Sequence, residues 1–189
     1  MSAVDADIDS ADATVIALTR RWVERAVIGL NLCPFARTPF TQERIRYRVS
    51  HATTPEALVD DLVAELQSLQ LSHAEDVETT LLIHPQVMND FLDFNDFLEA
   101  ADAAVEGLQL DGLIQVASFH PDYQFADSAP DDIENYSNRA PYPILHLLRE
   151  DSVERAVESM PDTDRIFERN IETLRKLGHT GWTALWEAK

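Results

Sequence analysis

The chain contains 189 residues with a mass of 21.3 kDa, of which 45% are apolar and 26% are charged. These values exclude a fibrous or wholly disordered protein and predict a single folded domain with a hydrophobic core. The 34 acidic and 15 basic residues give a formal charge of −19. Nucleic-acid binding is therefore disfavoured, because a phosphate backbone would be repelled.

The N-terminal part is predicted to contain a tail, a helix, a proline-containing loop and a strand. Residues 1–11 are acidic and rich in small side chains, so we expect a disordered tail. From Thr14, apolar residues recur every three or four positions and predict a helix that ends at Gly29. Residues 44–50 alternate arginine and apolar side chains, which predicts a half-exposed edge strand.

The middle of the chain is predicted to alternate helices with short apolar strands. Thr54 and Pro55 are typical of a helix start, and leucines at helical spacing supply its buried side. Residues 80–83 form a short apolar run that predicts an interior strand ending at His84. Asn89 is expected to cap the helix that follows.

A second interior strand is predicted over residues 113–119, ending at His120 and Pro121. The next segment, 121–141, is rich in Asp, Asn and Pro and has no periodicity, so we expect a long irregular loop. A proline-bounded strand over 142–148 follows it.

Two helices, near 152–160 and 163–177, complete the pattern, and Gly178 is expected to end the second. Strands joined by helices favour parallel neighbours, whereas the fourth strand arrives without a helix and can be antiparallel. The element order therefore predicts one α/β domain over residues 12–189, with a mixed four-stranded sheet flanked by helices. If the first helix is left out, the order of helices and strands resembles that of thioredoxin-like domains. This resemblance is an analogy of fold only.

The single cysteine and the N-terminus indicate the compartment. Cys33 has no intrachain partner, so a reducing, cytoplasmic location fits best. The first residues lack the basic start and apolar run of a secretory signal. No apolar run approaches the roughly 20 residues that span a bilayer, so membrane insertion is not expected.

The carboxyl ends of two predicted strands mark the expected functional site. His84-Pro85 follows one strand and His120-Pro121 follows another, and ligands of α/β sheets bind beyond such ends. A structureless loop of about 20 residues in a compact domain is unusual unless it forms a site. We therefore expect residues 119–142 to form the site.

The loop carries carboxylates, amides, phenols and one guanidinium, which are groups that orient a small polar or anionic molecule. The candidates are Asp122, Tyr123, Asn135, Asn138 and Arg139. The alternative is that the Asp and Asn residues cap turns and that Arg139 pairs with a neighbouring carboxylate.

Cys33 lies in the segment LNLCPFAR, where a nearby base or cation would favour its thiolate and make it a nucleophile. The alternative is a small buried apolar side chain. Cys33, His84, His120 and His146, with Asp122, can also supply three or four metal ligands, although no compact metal-binding motif is present. For His146, within the fourth strand, a core histidine bonded to a carbonyl or carboxylate is the alternative.

Three segments, LNLCPFAR, ASFHPDYQF and NRAPYPILHLLRED, resemble an uncharacterised bacterial family, domain of unknown function 1415. The resemblance extends from Trp22 to about Val157 and implies a compact cytosolic α/β unit with no known reaction. The residues that carry it lie in predicted loops and at strand ends: Cys33, Pro34, His120, Pro121, Tyr123, Asn138, Arg139, Pro141, Pro143 and His146.

The leading hypothesis is a cytoplasmic enzyme that acts on a small polar or anionic metabolite at a Cys/His/Arg site. His120 would be the general acid or base, Asp122 would orient it, and Cys33 would be a nucleophile or a reducible thiol. The substrate would be held by His84, Tyr123, Asn135, Asn138, Arg139 and His146. This hypothesis requires that the loop brings its imidazole and guanidinium into one hollow with the thiol.

Two other classes of function stay open. The first is a sensing protein that holds haem or a metal through Cys33 and a histidine. The second is an acidic interaction module, because Val49 to Asn138 contains 19 acidic residues and no Lys or Arg and would meet a basic partner. An anionic ligand would instead be met by the N-terminal third or by Arg139 and Arg149. The residues do not identify a cofactor.

Overall fold

The computed structural model describes residues 3–158 and 165–187. The N-terminal half contains α1 (Ala3–Trp22), a π-helical segment (Val23–Ile28), α2 (Arg37–Thr41), β1 (Ile45–Val49), α3 (Pro55–Leu71) and β2 (Thr79–Ile83). The C-terminal half contains α4 (Phe91–Gly107), β3 (Ile114–Phe119), a 3-10 helix (Ile133–Ser137), β4 (Ile144–Arg149), α5 (Glu150–Glu158) and α6 (Ile166–Glu187).

The four strands form one mixed sheet in the order β1-β2-β4-β3. β1 and β2 are parallel, and β4 lies antiparallel to both of its neighbours, β2 and β3. The α/β class, the mixed four-stranded sheet and the antiparallel fourth strand are therefore confirmed. The resemblance to thioredoxin-like domains is one of element order along the chain.

Strand β3 lies at an edge of the sheet, so the prediction that residues 113–119 form an interior strand is wrong. A strand with a neighbour on each side and both faces covered needs apolar side chains at nearly every position. β2 is buried throughout, and Leu145 and Leu147 of β4 are inaccessible to solvent. β3 carries an exposed Gln115, which an edge tolerates. The arginine-bearing β1 is the other edge, as predicted.

The sheet separates two hydrophobic clusters, because successive side chains of a strand point to opposite faces. Leu82, Leu145 and Leu147 belong to the cluster that includes α3 and α4, and their side of the sheet is called the α4 face here. Leu81 and Ile83 belong to the cluster that includes the π-helical segment, and their side is called the α1 face. Each strand residue therefore has a fixed side, which decides the groups it can meet.

The helix on the α1 face changes its winding along its length. α1 begins at Ala3 and so extends into residues 1–11, whose mobility stays a prediction. The π-helical segment buries Val23 and Val27 and is followed by Gly29, where the sequence predicts the helix end. π-helical turns are uncommon and occur frequently at functional sites.

Helix α4 is capped by Asp90 and not, as predicted, by Asn89. The Asp90 carboxylate accepts hydrogen bonds from the backbone N–H groups of Leu92 (2.8 Å) and Asp93 (3.2 Å). These bonds satisfy two donors of the first helical turn, and an anion there also interacts favourably with the helix dipole.

The two predicted C-terminal helices correspond to α5 and α6, and residues 159–164 lie outside the described residues. Gly178 has a non-helical backbone (φ 63°, ψ 174°) and separates two helical stretches within α6, so the helix end predicted at this glycine agrees with the structure. Within residues 3–158 and 165–187, no helix is long and apolar enough to cross a membrane.

Replacing Gly29 by Ala tests the π-helical winding. In an ordinary helix, Gly to Ala raises the free energy of unfolding by up to about 1 kcal/mol. A Cβ at Gly29, however, would overlap the carbonyl oxygen of Arg25. We expect Gly29→Ala to lower the midpoint of urea denaturation.

Gly107, the last residue of α4, is the matched control, because a Cβ there meets nothing within 4 Å. Gly107→Ala should leave the denaturation midpoint unchanged or raise it. Stabilisation by Gly29→Ala as well would contradict the winding described here.

Candidate functional site

A cavity of about 640 Å³ opens on the α1 face and is called the Cys33 cavity here. Its walls are the π-helical segment, the 33–39 loop and the first turns of α5. Its floor is the strand surface at Ile45, Thr79, Leu81, Ala117, His146 and Leu148. Residues from all four strands, including Phe119, therefore reach one space.

The lining of the Cys33 cavity is mainly apolar. The side chains of Thr79 and Ala117 are short, so they leave volume above the middle of the sheet. Larger apolar side chains surround that volume: Trp22, Phe35, Ile45, Phe119 and Val153. A space of about 300–1,000 Å³ with apolar walls and a few polar groups is typical of small-molecule sites.

His146 contributes an uncharged ring to the floor of the cavity. Thr79 Oγ1 lies 2.6 Å from the Leu147 carbonyl oxygen and 2.7 Å from His146 Nε2. Because a carbonyl only accepts, the hydroxyl proton goes to Leu147, and His146 donates its Nε2–H to Thr79. Burial lowers the pKa of His146 to about 4. His146 Nδ1 is therefore an unprotonated acceptor without a hydrogen bond from any described residue.

Cys33 contributes a protonated thiol to the wall of the cavity. Burial raises the pKa of this half-buried side chain, and the backbone N–H groups of Phe35 and Ala36 offset the effect in part. A raised thiol pKa leaves little thiolate at neutral pH, which works against nucleophilic attack. Cys33 and His146 line the same cavity, so this pair of the predicted site is brought together.

Arginines supply the charge of the lining. Arg149 donates to the carbonyl oxygens of Leu69 and Ser72, each at 2.6 Å, and has no carboxylate within 4 Å among the described residues. Arg44 is paired with Glu78 at 2.7 Å. Arg155 also lines the cavity. Among the described residues, Glu78 is the one acidic residue of this lining, and Arg155 is also paired at 2.8 Å with Asp151 beside it.

His120 lies on the α4 face, where both of its ring nitrogens are engaged by the backbone. Its Nδ1 accepts a hydrogen bond from the Asp122 N–H (3.0 Å), and its Nε2 donates to the Met88 carbonyl (3.2 Å). The ring stacks on Phe94, and burial lowers its pKa. The His120 ring therefore joins the backbone at Met88 to the turn that begins at His120, and it would lose a hydrogen bond on taking up a proton.

His84 lies beside His120 under the same helix. Its Nδ1 donates to the Val87 carbonyl (3.0 Å), its ring contacts Phe94, and its buried Nε2 has no hydrogen-bond partner among the described residues. Burial lowers the pKa of His84 to about 4, and the neighbouring His120 adds to the shift. The neutral form is therefore the one that this packing accepts.

The 121–141 segment is held together by its own polar groups. The Asn135 amide is inaccessible to solvent, and its Oδ1 accepts from the Phe125 N–H (3.1 Å) and the Ser128 hydroxyl (2.6 Å). Its Nδ2 donates to the Ala129 carbonyl (2.8 Å). Asn135 therefore folds the segment back on itself.

The other predicted loop residues make similar local contacts. The Tyr123 ring packs against Phe91 with centroids 5.1 Å apart. The Asn138 amide is 3.5 Å from the Ser118 carbonyl oxygen. Asp122 is exposed, and its contact with His120 is made by its backbone N–H. None of these side chains lines the Cys33 cavity.

Arg139 lines a second cavity of about 400 Å³, called the Arg139 hollow here, which is bounded by α1, the 121–141 segment and α6. Its Nε donates to the Tyr123 carbonyl (3.2 Å) and its Nη2 to the Pro130 carbonyl (2.7 Å). Its guanidinium carbon lies 4.5 Å from the centre of the Tyr136 ring.

The predicted site residues are thus divided among three places. Cys33 and His146 share one cavity, His84 and His120 lie beneath α4, and Arg139 lines another hollow. The expectation that the loop brings its imidazole and guanidinium into one hollow with the thiol is therefore wrong. Strand alternation is the reason, because β3 continues into His120 on the α4 face while Phe119 points to the α1 face.

Several residues of the Cys33 cavity were missed by the sequence reasoning: Thr79, Ala117, Gln115, Ser152 and Val153. Alternation within β2 would have placed Thr79 and Leu81 on one face. It would not have shown that β4 pairs Leu81 with His146, because that register joins distant parts of the chain. The packing of α5 over the floor has no signal of its own in the sequence.

Metal binding has no ligand cluster to support it in the parts of the chain that the structure describes. Across 3–158 and 165–187, no three His, Cys, Asp or Glu side chains are grouped as metal ligands. The metal alternative therefore has no cluster of three ligands in these ranges, and haem binding through Cys33 and one histidine stays a prediction.

Replacing His84 by Asn tests its buried neutral state. In the unfolded chain His84 takes up a proton near pH 6.5, whereas in the folded chain it does so near pH 4. Stability that is present above about pH 6.5 is therefore lost as the pH falls toward 4, by about 2 kcal/mol at pH 5. Urea denaturation measures the free energy of unfolding at pH 7 and at pH 5. The decrease between these two pH values should be smaller for His84→Asn than for the unaltered chain by about 2 kcal/mol.

The carboxylates titrate in both proteins, so their effect cancels in this difference. His73→Asn, at an exposed histidine, is the matched control and should follow the unaltered chain. An equal loss of stability in the unaltered chain and His84→Asn would contradict the assignment.

Comparison with known proteins identifies the family and adds no activity. A family model described as "Protein of unknown function (DUF1415)" matches residues 14–184. No curated protein and no solved structure matches the chain. The family match includes Cys33, His146 and Arg139, so both cavities lie within the matched region. The chain is therefore a member of the DUF1415 family.

Proposed function

We propose that this chain binds a small molecule with an apolar body and one anionic group in the Cys33 cavity. The observation that supports this function is a ligand-sized space with mainly apolar walls, a few uncharged polar groups and an excess of arginine in its lining. The proposal keeps the small anionic metabolite that the sequence favours. It moves the site from the 119–142 loop to the α1 face.

The apolar body follows from the walls of the cavity. Trp22, Val27 and Phe35 face a floor that includes Leu81 and Leu148, so a hydrocarbon chain or a ring would replace water against apolar surface on both sides. Burial of such surface contributes roughly 25 cal/mol per Å².

The anionic group follows from the local reversal of charge. The chain has more than twice as many acidic as basic residues, yet the lining has Arg44, Arg149 and Arg155 against Glu78. No described carboxylate lies within 4 Å of Arg149, and its guanidinium is held by the Leu69 and Ser72 carbonyl oxygens at the C-terminal end of α3, so its charge acts on the cavity from a distance. A carboxylate or phosphate would be attracted to this end of the cavity.

Uncharged polar groups of the lining, His146 and Cys33 among them, would orient the ligand. His146 Nδ1 is an acceptor, so it would select a ligand hydroxyl or N–H at that point. If the bound molecule is also a substrate, proton transfer falls to His146, because His120 is committed to the backbone on the other face. Acid–base chemistry by His146 would need its pKa to rise when the ligand binds.

Octanoate and 1-octanol are suitable probes, because they share an apolar chain and differ in charge. Isothermal titration should show that octanoate binds more tightly than 1-octanol. Ala117→Phe places a ring over the cavity floor from an edge strand and should abolish the binding of both. Ala103→Phe, on the exposed side of α4, is the matched control and should leave both unchanged. Failure of octanoate to bind, or full binding by Ala117→Phe, would contradict the proposal.

Arg155→Gln tests the charge of the lining. Arg155 pairs with Asp151 at 2.8 Å, and both side chains are exposed, so its removal should leave the fold intact. Octanoate binding should weaken about threefold, because one partly screened positive charge is lost, and 1-octanol binding should be unchanged.

Arg165→Gln is the matched control, since Arg165 is equally exposed, pairs with Glu168 and does not line the cavity. It should bind both probes as the unaltered chain does. If Arg155→Gln weakened the binding of octanoate and of 1-octanol equally, the positive charge of Arg155 would not be the cause, and the proposed role of charge would be contradicted.

A further inference from the structure

The Arg139 hollow is a second cavity, open to solvent, with a composition of its own. All three tryptophans of the chain, Trp22, Trp182 and Trp186, line it together with Tyr136. Trp22 also lines the Cys33 cavity, so the two spaces share one indole ring. Its volume of about 400 Å³ lies at the lower end of the range for small-molecule sites.

The aromatic walls of the hollow are packed against one another. Tyr136 and Trp182 meet edge to face with centroids 5.1 Å apart, and Trp182 and Trp186 do so at 5.7 Å. Arg21 donates to the Trp186 carbonyl and Arg25 to the Leu185 carbonyl, which fixes the end of α6 against α1. An aromatic surface of this kind exists before any ligand arrives, so little ordering is needed on binding.

Arg139 brings a positive charge to the hollow. The surrounding groups hold its guanidinium in place but do not neutralise it. The carbonyl oxygens of Tyr123 and Pro130 and the face of Tyr136 hold the guanidinium. Among the described residues, no carboxylate lies within 4 Å of it, whereas other arginines of the chain, such as Arg44 and Arg175, are paired with one. Its Nη1 makes no hydrogen bond to a described residue.

We propose that the Arg139 hollow binds an aromatic carboxylate with a single ring. The ring would lie against the indole and phenol rings, and the carboxylate would accept a hydrogen bond from Arg139 Nη1. This site is separate from the proposed function, because neither Arg139 nor Tyr136 lines the Cys33 cavity.

Benzoate and benzyl alcohol test the proposal, because they share the ring and differ in the carboxylate. Tryptophan fluorescence is a direct readout, since every tryptophan of the chain lines the hollow. Both probes should change the emission saturably, and benzoate should bind at least about tenfold more tightly than benzyl alcohol. Absence of a saturable change with benzoate, or equal affinities for the two probes, would overturn the proposal.

Arg139→Gln removes the guanidinium that the carboxylate would meet and should reduce the tenfold preference for benzoate to the part that Arg21, which also lines the hollow, can supply. Because Arg139 also holds the loop, this variant can lose affinity for a structural reason, so the ratio of the two affinities is the readout. Arg139→Lys loosens the same carbonyl contacts but keeps the charge, and it should retain a preference for benzoate. Arg165→Gln, at an exposed pair outside the hollow, should keep the full tenfold preference. An undiminished preference for benzoate in Arg139→Gln would overturn the proposal, as would its loss in Arg139→Lys.

Discussion

The arrangement of this protein depends on the alternation of side chains along the strands of a sheet that is covered on both faces. In β4, Leu145 and Leu147 are inaccessible beneath the α3–α4 layer, so His146 between them must point to the α1 face. There it meets Thr79 and the Cys33 cavity. The same rule sends His120 to the α4 face, where a single sheet lies between it and the thiol.

Local patterns in the sequence predict the elements well and the tertiary pairing poorly. The arginine alternation of β1, Gly29 after the first helix and the arrival of β4 without a helix each have a local cause, and the structure agrees with them. The position of β4 between β2 and β3 depends on contacts between distant residues, such as Thr79 with Leu148. Because the order of the strands decides which side chains share a cavity, the site could not be assembled from the sequence.

The polar residues of the 121–141 segment show a second limit of sequence reasoning. A chain that buries irregular backbone must satisfy its N–H and C=O groups, and Asn135, His120 and Arg139 all bond to backbone or to neighbours for this purpose. In the sequence, an Asn or His that bonds to the backbone cannot be distinguished from an Asn or His that binds a ligand. Only unused capacity separates the two roles, as at His146 Nδ1 and Arg139 Nη1.

The most direct test of this account is the response of the histidine rings to octanoate. In a chain labelled with ¹⁵N-histidine, two-bond proton–nitrogen spectra report the tautomer and environment of each ring. Octanoate should shift the His146 ring nitrogens and leave those of His84 and His120 in place, because the sheet separates them from the Cys33 cavity. Shifts at His120 with none at His146 would contradict the account.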